Sequence, residues 1–100
     1  MNGKYILDGH KPKLELNLIK WSKWLESADR CVKKTKVNDI DVSTVFLGLD
    51  HSFGVGEPLL FETLVFGGSL DGEMDRYSTW EAAEIGHNKM VEKVRRQIER

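Results

Sequence analysis

Apolar positions fall into two kinds of pattern along this chain. Over residues 14–29 they recur with helical spacing: Leu14, Leu18, Trp21, Leu25 and Ala28 share one side, and Lys20, Lys23, Glu26 and Asp29 lie opposite. Asn17 is placed to accept a free backbone N–H at the start, so a helix over 18–29 is predicted. Residues 78–100 form the second helical stretch, with Trp80, Ala83, His87, Met90, Val94 and Ile98 on one stripe. Ser78 and Glu81 have the spacing of a capping box. Glu81 and Glu84 near the start, and Lys93, Arg95, Arg96 and Arg100 near the end, complement the helix dipole. Gly86 interrupts the stripe at a cost of about 1 kcal/mol relative to Ala. That predicts another element packed closely against it.

The other pattern is strand-like and dominates residues 42–68. The arm 41–50 puts Ser43, Val45, Leu47 and Leu49 on one face and Val42, Thr44, Phe46 and Gly48 on the other. The return arm 59–66 opposes Leu59, Phe61, Thr63 and Val65 to Leu60, Glu62, Leu64 and Phe66. A half-buried strand alternates between apolar and polar, and these arms are mostly apolar on both sides. Both faces are therefore expected to be covered. Helices can cover one; the other calls for the N-terminal segment, a second subunit or a partner. A short strand is predicted at 4–7 and a lysine-rich edge strand at 30–37, joined to the hairpin by an Asn38-Asp39 turn. Residues 69–77 read as an acidic loop. The sum is a single α+β domain over 1–100. A small antiparallel sheet of three or four strands, with a long central hairpin at 41–66, packs against two helices in the order (β)-α-β-β-β-α.

Composition narrows the class. The 100 residues are 40% hydrophobic and 31% charged with a net charge of −1, which fits a globular domain and not a disordered chain. A near-neutral chain has no global field to draw it to nucleic acid or to an anionic membrane. Cys31 is the single cysteine, so no internal disulfide forms. The start lacks a signal-like apolar run and no stretch is long enough to span a bilayer, so a soluble intracellular protein is expected.

No catalytic or metal-binding motif is present, and no cofactor is implied. Asp50 and His51 end the first hairpin arm beside a glycine-containing loop, where an Asp-His pair can orient an imidazole or simply make a turn. Glu62 interrupts an apolar strand; it is either a desolvated carboxylate or one paired with a base such as Lys34 or Lys36. His87 lies on the apolar stripe of the second helix and reads as a satisfied, partly buried histidine. Convergence of His10, His51 and His87 on a metal lacks any supporting spacing. Gly54-Val55-Gly56 joins two strands instead of leading into a helix, so it is not a phosphate loop. The alternating Asp71, Glu73 and Asp75 lack the calcium-loop pattern. Lys33-Lys34-Thr35-Lys36 and the α-β-β-β-α order invite comparison with double-stranded RNA binders, but Glu81 and Glu84 would repel phosphate from the second helix. Phe46, Leu60, Leu64 and Phe66 are the candidate interface residues, and homo-oligomerisation through them is one outcome.

The segments YILDGH (5–10), WSKWLESADR (21–30), VSTVFLGLDHSFG (42–54), LLFETLVFGG (59–68) and RYSTWEAAEIGH (76–87) together resemble a family of small uncharacterised proteins of tailed bacteriophages and prophages. The resemblance spans nearly the whole chain. It implies a phage origin and the host cytoplasm as the setting, and it brings no activity or site residues with it. The expected function is that of a phage accessory protein that binds a host or phage protein, with inhibition of a host or defence factor as the form considered. The alternative is a small-molecule or nucleotide-binding protein, or a minor enzyme, with a pocket near Asp50, His51, Glu62 and His87.

Overall fold

The computed structural model describes residues 3–53 and 56–99. Gly54 and Val55 of the glycine-containing loop, and Arg100, lie outside them. Eight elements follow in the order β1 (Tyr5–Asp8), β2 (Lys11–Leu14), α1 (Leu18–Ser27), β3 (Cys31–Val37), β4 (Ile40–Phe46), β5 (Phe61–Phe66), β6 (Met74–Tyr77) and α2 (Trp80–Ile98). The architecture is α+β, as its sequence pattern predicts, with two more strands than expected. Strand β2 is short and exposed and carries Pro12 among lysines, which masks any strand pattern. Strand β6 lies inside the expected acidic loop.

Strands β3 to β6 form an antiparallel meander. Val37 pairs with Ile40 across the two-residue turn, where Asn38 takes φ 56°; asparagine tolerates this left-handed conformation better than most residues. Strands β4 and β5 pair from Asp41↔Phe66 to Phe46↔Phe61. Register decides burial. Val42, Thr44, Phe46, Phe61, Thr63 and Val65 face α2 and are all buried. Helix α2 answers with Ala83, His87, Met90, Val91 and Val94.

The core is divided. Val37, Ile40, Val42, Val65, Met90, Val91 and Val94 form one apolar cluster. Phe46, Leu60, Phe61 and Ala83 form the other, closed by Tyr5, Leu7, Trp24, Tyr77 and Trp80 among others. This corrects the expected interface at two positions. Phe46 and Leu60 are 0% and 1% exposed, because Trp24 packs edge-on to Phe46 and the start of α2 closes over the same cluster. Leu64 and Phe66 do lie on the opposite sheet face.

Helix α1 packs against β1 and not across the sheet. Asn17 caps it as predicted, accepting the Lys20 N–H at 3.0 Å. It docks where β4 ends. Trp21 donates its indole N–H to the Gly48 carbonyl (2.9 Å). Gly48 takes φ +76°, which favours glycine, and a Cβ there would stand 2.6 Å from a Leu25 methyl that would have to shift. Strand β1 pairs with the same segment: Tyr5 donates its N–H to the Gly48 carbonyl, and Asp50 donates to Gly3. Helix α2 is capped by Thr79, which accepts the Ala82 N–H at 3.0 Å. The expected Ser78–Glu81 capping box is therefore not formed: the N-cap is one residue later, and Ala82 stands where the box needs Glu or Gln.

Candidate functional site

The four sequence-selected residues lie in three places. Asp50 is a loop clamp. Its carboxylate accepts the Ser52 N–H (2.8 Å), the Leu59 N–H (3.0 Å) and the Ser52 hydroxyl (2.9 Å), tying both ends of the loop together. Desolvation alone would raise its pKa; the hydrogen bonds from Ser52 and Leu59 outweigh it and hold the carboxyl below its ordinary value. Asp50→Ala is expected to cost about 1–2 kcal/mol, by analogy with loss of a charged cap. Hydrogen exchange at the Ser52 and Leu59 amides should accelerate with it; unchanged exchange there would refute the clamp. His51 donates Nδ1–H to the Leu49 carbonyl (2.7 Å) and holds the same turn.

Glu62 is on the opposite face of the sheet from α2. Its carboxylate accepts the Arg76 Nε–H at 3.0 Å across the β5–β6 pair. The partner is therefore Arg76, where Lys34 or Lys36 was expected, and the side chain is 17% exposed.

His87 is fully buried and stands between the two apolar clusters. Its Nδ1 contacts the Thr44 hydroxyl at 2.7 Å and its Nε2 the Thr35 hydroxyl at 2.8 Å. Thr44 in turn bonds the Thr63 hydroxyl, which accepts the Tyr77 O–H at 3.1 Å. One residue from each of the four sheet strands thus joins α2 in a single hydrogen-bonded chain, buried at Thr44, Thr63 and His87 and partly buried at Thr35 and Tyr77. Directed from the Tyr77 hydroxyl, the chain runs Tyr77 to Thr63 to Thr44 to Nδ1, and Nε2–H donates to Thr35. Every member is satisfied by a neutral imidazole. Burial, reinforced by the Lys33 charge, pushes the His87 pKa down.

Gly86 makes this chain possible. A Cβ there would stand 2.2–2.3 Å from the Tyr77 ring. The close packing expected at Gly86 is the Tyr77 ring lying against α2 on its way to Thr63.

Asp50, His51, Glu62 and His87 accordingly do not line a common pocket. A cleft of about 600 Å³ lies elsewhere, between the β1–β2 hairpin, residues 57–60 and the first turn of α2. Tyr5, Leu60 and Trp80 supply apolar wall, with Asp8, His10, Lys11, Glu57 and Glu81 among the polar lining. The imidazole of His10 lies flat on Trp80, ring centroids 3.8 Å apart and planes 3° from parallel. The Asp8-Gly9 pair favours a turn, but the register that sets His10 at the hairpin tip depends on strand β2, which shows no strand pattern in the sequence.

The basic run 33–36 is split between faces. Lys33 donates to Asn88 of α2 (3.0 Å), and Thr35 meets His87, whereas Lys36 pairs with Asp41 on the other side (3.5 Å). In the acidic loop, Asp71 accepts the Gly67 N–H and Glu73 pairs with Lys93. Among the described residues, no group of three or more His, Cys, Asp or Glu is arranged to hold a metal ion, and no helix is long and apolar enough to cross a membrane. Compared with protein-family models, curated proteins and solved structures, the chain finds no match.

Proposed function

We propose that the protein acts by binding another protein through the face of the β3–β6 sheet that α2 leaves open. The observation that carries this is the composition of that face. By register it presents Lys36, Asp41 and Phe66 in one row, Lys34, Ser43, Leu64 and Met74 in the next, and Cys31, Val45, Glu62 and Arg76 beyond. Phe66 and Met74 are 49% and 47% exposed. Both carboxylates are already neutralised, Asp41 by Lys36 and Glu62 by Arg76. An apolar centre flanked by internal ion pairs suits a protein surface, since exposed contiguous apolar area marks interaction sites.

The charge pattern selects the partner. Lys34 is the one charged group of this face without an ion-pair partner among the described residues. The same face of a second copy offers it no free carboxylate. A partner with an apolar patch edged by Asp or Glu does. Four strands about 4.8 Å apart and roughly 20 Å long give a face of about 400 Å². A stable interface takes about 800 Å² from each side. The contact is thus of the transient kind, which also disfavours a permanent homodimer. The phage setting, with a host or defence factor as the protein bound in the host cytoplasm, is the further part of this proposal and rests on the sequence resemblance alone.

A photo-crosslinking residue at Met74 tests the face directly in bacterial lysate. The expected result is a discrete adduct with a protein whose contact peptide is apolar and acidic. Phe66→Asp and Lys34→Glu should each reduce it at least about tenfold, with the thermal midpoint of the half-exposed Phe66→Asp variant little changed. An adduct with a second copy of the chain, or one insensitive to both substitutions, would overturn the assignment.

A further inference from the structure

We infer that the cleft beside Trp80 is a second binding site, for an arginine side chain on an extended peptide, and that His10 occupies its stacking surface in the free protein. It lies apart from the open sheet face and stands independently of that assignment.

Trp80 is held from one side by the core, with Phe61 at 86° to it and centroids 6.2 Å apart. The exposed imidazole of His10 lies flat on its indole face and forms no hydrogen bond among the described residues. A flat, parallel contact at 3.8 Å shows that this indole face accepts a planar, nitrogen-rich group. A guanidinium is such a group and stacks on tryptophan with a cation–π component.

The indole also carries an unmet demand. The Trp80 Nε1–H is buried and has no hydrogen-bond partner among the described residues. Buried donors are nearly always satisfied. A peptide carbonyl beside the arginine supplies the acceptor, which an isolated cation does not.

Charge sets the sign of the ligand. Asp8, Glu57 and Glu81 line the cleft against Lys11. Glu81 lies in the first turn of α2, where the positive helix end offsets part of its charge. Asp8 and Glu57 are left to accept the guanidinium N–H groups. A phosphate or carboxylate ligand would meet these same two carboxylates, so an anion is disfavoured. The hairpin tip that carries His10 is a two-residue turn, so a small displacement of the tip uncovers the indole.

The test uses the ¹⁵N-labelled full chain at low salt, titrated with N-acetyl-arginine N-methylamide. The Trp80 indole N–H signal is identified by its loss in Trp80→Phe. It should shift saturably, with changes at the His10 ring and none at Phe66. The neutral citrulline analogue should bind at least about tenfold more weakly. Asp8→Asn and Glu57→Gln should weaken binding several-fold, and His10→Ala should strengthen it by removing the internal competitor. No saturable shift, equal binding of the citrulline analogue, or weaker binding by a folded His10→Ala variant would each overturn the inference. Amide shifts at Val42 and Val65 report that each variant is folded.

Discussion

Gly86→Ala is expected to destabilise the protein by about 2 kcal/mol, although alanine is the better helix former by about 1 kcal/mol. The reason is steric and specific. The added Cβ would stand 2.2–2.3 Å from two ring carbons and the hydroxyl oxygen of Tyr77. Either α2 lifts from the sheet or the ring swings out. Overpacking of this kind costs about 1–3 kcal/mol, and a displaced Tyr77 also loses its bond to Thr63, worth about 1 kcal/mol. For a domain of this size the thermal midpoint should fall by roughly 8–16 °C. The decisive measurement is a double-mutant cycle with Tyr77→Ala. Once the ring is gone, Gly86→Ala should change sign and stabilise by up to about 1 kcal/mol, because only helix propensity is left. A destabilisation that persists in the Tyr77→Ala background would mean that Gly86 serves some other contact.

The Gly86 expectation shows what kind of information a single sequence holds. A glycine inside a helical stripe carries a known cost, so its presence predicts a close neighbour. It does not say which neighbour. Tyr77 lay in a stretch read as loop, because the four-residue strand Met74–Tyr77 is half exposed and edged with Asp75 and Arg76. Short edge strands have too few alternations to stand out from an acidic turn. The hairpin faces were assigned correctly by alternation, since Val42, Thr44 and Phe46 do share the buried side. Of the two faces expected to be covered, α2 covers one. The other, where Val45 and Leu64 are half-buried and Phe66 is exposed, is the face proposed above for a partner.

The site was legible only in fragments. Asp50, His51, Glu62 and His87 stood out because each is a polar exception in an apolar pattern. Three of them proved to be local devices: Asp50 and His51 close a loop, and Glu62 pairs across two strands. The cleft was illegible because its walls come from residues 5–12, 57–60 and 78–81, brought together by the pairing of β1 with the segment after β4. Threonine is common in strands, so nothing in the sequence marked Thr35, Thr44 and Thr63 as a row bonded to His87.

That row makes acid the second large perturbation. Stability should fall as pH drops below about 6.5, with a slope approaching 1.4 kcal/mol per pH unit for one proton. In the chain directed from the Tyr77 hydroxyl, Nδ1 accepts and Nε2–H donates. An imidazolium must donate from both nitrogens. Thr44 would then have to accept from His87 and turn its own hydrogen toward Thr63, where the Tyr77 hydroxyl already donates. Burial first, and the nearby Lys33 charge second, disfavour the added proton further. The folded pKa is thus lower than the unfolded one. The unfolded state binds the proton first, and stability drains away between the two values as pH falls. Asp50 is also depressed, but its contribution is kept above its ordinary value of 3.8 and is lost only as pH falls through the lower folded value. The two windows do not overlap near neutrality. Denaturant midpoints taken from about pH 7.5 to about pH 5 should decline steeply in the wild type. His87→Gln should begin from a lower midpoint, because the fit of the imidazole is lost, and decline less over the same range. Parallel slopes in the two proteins would show that the acid sensitivity arises elsewhere.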